Sequence, residues 1–393
     1  MDNTFKVKYI NCTENDLLAI GFDKNYYKQA INKHKFISLK IYNLNCAQAN
    51  ILKQTALSLG TDCAVHREVI TGGINISNCI LSGSNAELQK IAQRLKHQPF
   101  KLNLLGEKIL SCTNKQVLKT IIKDKEIIYD KTYIMGILNI TPNSFSDGGK
   151  FMNNRTAIEH FKKMVEEGAN IIDIGGESTK PYAQAVTADE EISRVIPIIK
   201  EIRTFDKKTI ISVDTRNAKT AQIALMNGAD IINDVSGLEY DTKMLEVIKE
   251  YQCPIIINHS SGTPDTMQNK TSYDDVVETI YDFFSEKINN LLSNNIPLSK
   301  IMLDPGIGFG KTTQQNFEII KRIKEFKTLN CPILVGHSRK SFIQETIKST
   351  DTESLDEATA ILSGELIENS ANIIRVHNVA KNKNVVKFKN LLT

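Results

Sequence analysis

Four side chains stand out for the chemistry they can do together: Asp214, Asn233, Asp304 and Lys340. Two carboxylates, an amide and an ammonium converging on one cavity suit a flat heterocycle whose edge carries adjacent ring N–H and amino donors. A 2-amino-4-oxo-pyrimidine ring has that edge, and a buried carboxylate meets it with a pair of charge-assisted hydrogen bonds. The lysine would donate to a ring carbonyl or nitrogen. Taken singly, Asp214 reads equally well as a carboxylate capping a turn or a helix, so it is the set of four that argues for a site. Arg375 and His377 form a second constellation. Two residues apart, they share one face of an extended strand. With Asn139 on a neighbouring strand they would make an anion site of guanidinium, imidazole and amide. His259, standing alone, reads as structural.

These residues fall near the ends of eight short apolar runs, at 133–140, 170–175, 209–215, 230–236, 254–260, 301–306, 332–338 and 372–378. Near-continuous Ile/Val/Leu stretches are how strands buried on both faces read. Helix-like segments separate them, with Asn153/Asn154 and Asn217 as caps and Gly168 and Gly228 as stops. The pattern predicts a closed (β/α)8 TIM barrel, whose C-terminal rim would gather all the polar ends. The long loops 141–149 and 178–187, rich in Gly, Pro and Ser, belong on that rim as lids or binding loops.

Before residue 126 the pattern changes. Strand-like runs at 36–42 and 64–70 alternate with helical ones at 47–59 and 85–97, and Ser84 with Glu87 fits a capping box. The expected division is a smaller α+β accessory domain over 1–125, of ferredoxin-like type, and a catalytic barrel over 126–393. A short hairpin near 126–129 would close the barrel's N-terminal mouth. Residues 1–130 hold 18 Lys+Arg against 11 Asp+Glu, a net of +7. Those charges are spread rather than clustered, which favours a solvated basic surface over nucleic-acid contact. No apolar stretch reaches the ~20 residues of a membrane span. Seven scattered cysteines without a C-x-x-C pair suit the reduced thiols of a cytoplasmic protein.

Two motifs are set aside. The string Gly306-Ile-Gly-Phe-Gly-Lys311-Thr312 ends like a phosphate-binding P-loop, but Pro305 stands where its first glycine belongs. It reads instead as a tight rim turn. His259 and His377 lack the spacing of a zinc site. A metal in this site would be Mg2+, held through a substrate's phosphates and one protein oxygen such as that of Asn139.

Five strings in order are more specific. Met135-Gly-Ile-Leu-Asn139-Ile-Thr-Pro-Asn-Ser-Phe-Ser-Asp-Gly-Gly149, Asp173-Ile-Gly-Gly-Glu-Ser-Thr-Lys-Pro181, Asp304-Pro-Gly-Ile-Gly-Phe-Gly-Lys311, Gly336-His-Ser-Arg-Lys-Ser341 and Arg375-Val-His377 closely resemble the signatures of the dihydropteroate synthase family of pterin-binding barrels. The resemblance covers about 131–393. Residues 46–60 are similar to an N-terminal extension of some clostridial and archaeal members. The resemblance implies a reaction of folate biosynthesis, in which 6-hydroxymethyl-7,8-dihydropterin diphosphate and p-aminobenzoate give 7,8-dihydropteroate and pyrophosphate.

It also implies roles. Asp214, Asn233, Asp304, Phe309 and Lys340 would bind the pterin. Asn139, Arg375 and His377 would hold pyrophosphate and Mg2+, with the two last supplying positive charge. Phe145, Asp147, Thr179, Lys180, Pro181 and Ser341 would shape the aminobenzoate side. The implied catalytic set is Asn139, Asp214, Lys340, Arg375 and His377, and the implied assembly is a homodimer. Asn143 replaces the family's usual Asp, Lys180 its usual Arg and Tyr182 its usual Gly, which suggests a reshaped aminobenzoate mouth with altered sulfonamide response. The rival readings are a pterin-dependent methyltransferase, which needs no Arg-x-His anion pair, and an inactive pterin-binding paralogue, which would have lost Asn139, Lys340, Arg375 or His377.

Overall fold

The computed structural model of the chain describes residues 8, 10–114, 117–122, 125–140, 150–177, 186–262 and 271–392, the side chains of 150–153 excepted. Two compact units form, Met1–Gln116 and Val117–Thr393.

The first unit is a three-stranded sheet under helices. Strands β1 (Phe36–Leu44) and β2 (Asp62–Val65) both run antiparallel to the central β3 (Ser77–Ser84). The helix Cys46–Leu57 joins β1 to β2, so the two parallel flanking strands and their crossover make the split βαβ of a ferredoxin-like sandwich. The expected capping box is present. Ser84 Oγ accepts from the Glu87 N–H at 3.3 Å, and Glu87 Oε2 accepts from the Ser84 N–H at 2.7 Å. Strand β3 is absent from the sequence reading because Ser-Asn-Cys-Ile-Leu-Ser-Gly-Ser has turn-like composition. Alternate burial of Ser77, Cys79, Leu81 and Gly83 makes it a strand nonetheless.

The second unit opens with an antiparallel hairpin, β4 (Lys119–Ile122) and β5 (Lys125–Ile128). Eight parallel strands follow: β6 (Tyr133–Asn139), β7 (Ile171–Gly175), β8 (Ile210–Asp214), β9 (Ile231–Asp234), β10 (Ile255–Asn258), β11 (Ile301–Asp304), β12 (Leu334–Val335) and β13 (Ile373–Val376). Neighbours in sequence are neighbours in the sheet, and β13 returns to pair with β6. The remaining gap closes through a bridge between Leu303 and Ile333, with the Leu303 N–H donating to Pro332 O at 2.9 Å. The TIM barrel is therefore complete, with helices following its strands. The helix Lys150–Glu167 begins before Asn153 and Asn154, so neither stands at its N-cap position. Asn217 stands at the N-cap of Ala218–Met226, but its amide donates to Glu191 Oε2 at 3.0 Å instead.

The barrel interior is graded from apolar to charged. At its N-terminal end Met135, Ile171, Ile231, Ile256, Met302, Leu334 and Ile373 pack together, and Ile122 and Ile127 of the hairpin pack against them. The hairpin thus seals this mouth, and each buried isoleucine contributes roughly 1.5–3 kcal/mol of transfer free energy. Two residues further along several of these strands the inward positions become Asp173, Asn233, Asp304 and Arg375.

Candidate active site

Register brings the strand ends together. Asn139 on β6 pairs with Gly175 on β7, Gly175 with Asp214 on β8, and Asp214 with Asn233 on β9. A methyl group on Gly175 would sit 3.4 Å from Asp214 Cβ and 3.5 Å from Asn139 Oδ1, so the two side chains flank a bare backbone position. Arg375 reaches across from β13. Its Nε donates to Asp173 Oδ2 at 2.6 Å and its Nη2 to Asp214 Oδ2 at 2.5 Å. Asn233 Nδ2 donates to the same Asp173 oxygen at 3.0 Å. One guanidinium therefore bridges two carboxyl groups, in a cluster where Asp173 is wholly buried. Burial pushes the Asp214 carboxyl up to about 7, with Arg375 opposing and Asp173 and Glu191 adding to the rise.

The β11 side supplies the second half. Asp304 Oδ1 accepts from the Gly306 N–H at 2.8 Å. Burial raises its carboxyl, while that hydrogen bond and the cations Lys340, Arg375 and Lys311 act against the rise. Lys340 lies with its ammonium 3.5 Å from the centre of the Phe309 ring, a cation–π contact. Burial, and then Arg375, lower the Lys340 ammonium to about 8. Gly308, at φ +81°, makes room for the lysine stem, since a Cβ there would meet Lys340 Cδ at 2.9 Å. Asp214, Asn233, Asp304, Phe309, Lys340 and Arg375 thus all belong to the polar C-terminal end of the barrel, as the sequence reading requires.

His377 departs from expectation in its charge. Its N–H and Nδ1 both face Ser338 Oγ, at 3.2 and 3.0 Å. Burial, with Arg339 and Arg375 beside it, drives the imidazole down to about 3. That setting holds the imidazole towards its neutral form, hydrogen-bonded to Ser338. Arg339 is committed elsewhere, forked onto Asp356 at 2.6 and 2.9 Å. Ser341 is exposed at the start of the helix Ser341–Ile347. Phe145, Asp147, Thr179, Lys180 and Pro181, like Asn143 and Tyr182, lie outside the described residues.

Three features escape the sequence reading. Asp173 is the shared acceptor of Arg375 and Asn233, and its only signal is an ionisable residue within an Ile run. Glu177 holds Arg216 through contacts of 2.8 and 3.3 Å and also accepts the Val186 N–H at 3.3 Å. Arg216 in turn stacks 4.2 Å over the Tyr240 ring. The third is Lys311, buried in the loop after β11. The P-loop reading stays excluded, since that lysine points into the protein. His259 is structural, packed edge-on against Phe283 at 5.0 Å. Among the described residues no three His, Cys, Asp or Glu side chains gather to hold a metal ion. Nor is any helix among them long and apolar enough to cross a membrane.

Fold and site define a β/α-barrel enzyme whose charged rim is built around a small polar ligand. The sequence profile of the pterin binding enzyme family matches residues 135–377, and the chain belongs to that family, among its dihydropteroate synthase members. It is 43% identical over 262 residues to the dihydropteroate synthase of Synechocystis, covering 67% of this chain and 90% of that one. The structure of dihydropteroate synthase from Clostridium difficile, determined in the presence of pteroic acid, superposes with a TM-score of 0.63 at 43% identity. It covers 67% of this chain and 97% of the other. A probable bifunctional folylpolyglutamate synthase/dihydropteroate synthase of Haloferax volcanii is 38% identical over 350 residues, or 85% of this chain, yet the chain spans only 41% of its length. That match is longer than the barrel unit, so it extends into Met1–Gln116.

Proposed function

We propose that this chain joins 6-hydroxymethyl-7,8-dihydropterin diphosphate to p-aminobenzoate, releasing pyrophosphate and 7,8-dihydropteroate. The observation that carries this reading is the enclosed set of Asp304, Asn233 and Lys340 beside the Arg375 bridge, above an apolar barrel floor. Asp304 accepts from the ring N–H and amino group, Asn233 pairs with the adjoining edge, and Lys340 donates to the ring carbonyl or nitrogen while Phe309 lines the face. The electron-rich ring stabilises positive charge on its methylene as the bond to diphosphate breaks. Asp304 and the partly ionised Asp214 stabilise that charge further, and both carboxyl groups are already in place before reaction. The arylamine of aminobenzoate then attacks as a free nucleophile, so no strong general base is needed.

At the leaving group Arg375 supplies the charge, through Nη1, which takes part in neither carboxylate contact above. Neutral His377 supplies a hydrogen bond. The donor set suits Mg2+ only through a single neutral oxygen, that of Asn139, so the ion would be held mainly by the substrate's diphosphate. Bound there, it would neutralise charge on the departing group. Ser341, with Phe145, Asp147, Thr179, Lys180 and Pro181 of the rim loops, would form the aminobenzoate mouth. A homodimer is part of the proposal. The last two long helices pack on each other and leave Ile361, Phe388 and Leu391 at 75%, 68% and 75% exposure, which is costly unless covered.

The test is an assay of the full chain with dihydropterin diphosphate, Mg2+ and p-aminobenzoate, following pyrophosphate and dihydropteroate together. Equal release of both is expected. Pterin binding with no pteroate formed would reject the synthase reading in favour of a binding protein.

A further inference from the structure

The loop after β11 is built around a buried cation. Lys311 Nζ lies 2.9 Å from Gly306 O, 2.9 Å from Phe309 O, 3.2 Å from His259 O and 3.1 Å from His259 Nδ1. The residue is only 4% exposed and cannot meet a ligand in the cavity. The carbonyls can converge because Gly306, Gly308 and Gly310 all have positive φ, at 66°, 81° and 62°. A side chain on Gly306 would place its Cβ 1.9 Å from His259 O, so the loop packs directly on the end of β10. The loop's other polar groups are also tied. Asn316 Oδ1 accepts from the Gly308 N–H at 2.7 Å, and Tyr273 donates to Gly310 O at 3.1 Å.

Two neighbours of this clamp belong to the proposed pterin site. Gly306, whose carbonyl Lys311 holds, donates its own N–H to Asp304. Phe309, whose carbonyl Lys311 also holds, carries the ring beneath Lys340. We infer that Lys311 is a positioning residue for pterin recognition: it fixes the loop that orients Asp304 and Phe309, and it sets a positive charge behind Asp304. This rests on the pterin-binding reading above. Four acceptors aimed at one nitrogen favour the ammonium form, against burial that lowers Lys311 to about 7. The charged groups facing Asp304 are Lys311 from its own loop, Lys340 from the loop after β12 and Arg375 from β13. His259, at the end of β10, is held neutral by burial and by Lys311.

Asp304 is raised by burial and lowered by three cations. Removing one cation raises it further, so the carboxylate is lost at a higher pH as acid is added. The experiment measures binding of 6-hydroxymethyl-7,8-dihydropterin to the full chain from pH 5 to 8, by fluorescence, for the parent, Lys311→Gln and Lys311→Arg. Lys311→Gln is expected to bind about tenfold more weakly at pH 7, the loss of one charge-assisted hydrogen-bond set. Its acid limb should move to higher pH, and Lys311→Arg should return the limb to its original position. A folded Lys311→Gln variant with an unmoved limb overturns the inference. Lys311→Arg, which keeps the charge, guards against a folding failure of the Gln variant, and an Arg variant whose limb moves to higher pH equally overturns the inference. A parent chain that fails to bind the pterin at all rejects the functional reading instead.

Discussion

Asp173 gathers the rim together. Replacing it by Asn leaves Arg375 with a single carboxylate in a buried setting, and is expected to cost about 3–5 kcal/mol of unfolding free energy, read from urea transitions. Pterin affinity should fall with it, because a neutral amide holds Asn233 and Arg375 less firmly than the carboxylate does. Proton linkage gives a second expectation. His377, lowered from 6.5 to about 3, stabilises the fold fully above its ordinary value, and that contribution is lost as pH falls towards 3. Asp214, raised from 3.8 to about 7, works in the opposite sense: its contribution is complete below its ordinary value and is lost as pH rises through 7. His377→Gln should therefore flatten the decline in stability between pH 6.5 and 3 measured by urea melts, while leaving the slope due to Asp214. Asp304, Asn233 and Lys340 were legible in the sequence because each closes an apolar run. The neutral state of His377 was not, since it depends on Arg339, Arg375 and burial supplied by tertiary structure. Asp173 was readable as a strand-end residue but not as the partner of Arg375, 202 positions away.

Turns and hairpins govern the next scale. Gly306→Ala places a methyl group against His259 O at φ +66°, and should destabilise the chain by at least about 2 kcal/mol. Gly60 also has positive φ, at +77°, but nothing lies within 4 Å, so Gly60→Ala should cost only the backbone strain of about 1 kcal/mol. Comparing the two by thermal melt separates close packing from conformational preference. Ile122→Ala and Ile127→Ala should each cost about 2–5 kcal/mol by urea titration, since both side chains fill the barrel floor. All eight barrel strands were readable from their Ile-rich runs. The seventh is much shorter than its run, since only Leu334–Val335 form regular strand, with Ile333 bridging to Leu303, before the backbone turns and reaches positive φ at Arg339. Strand β3 was unreadable because its small polar residues are buried by neighbours distant in sequence.

The chain's two units suggest a cut at Val117. A chain beginning at Asp130 loses the β4–β5 hairpin and with it the barrel floor, whereas one beginning at Val117 keeps both. The Val117 chain is expected to retain synthase activity and the Asp130 chain to unfold at lower denaturant. Retention would assign the first unit, shared with the Haloferax volcanii relative, a structural or assembly role outside catalysis. Paired substitution of Ile361 and Phe388 by Lys should convert a dimer into a monomer in sedimentation equilibrium. The sealed floor also has a kinetic meaning. A chamber with one door serves its visitors in a fixed queue: Asn233 and Asp304 lie at its back wall and Ser341 at its threshold. On the function proposed above, the pterin is therefore expected to bind before aminobenzoate, and equilibrium binding in which aminobenzoate alone occupies the free chain as tightly as the pterin-loaded one would contradict this.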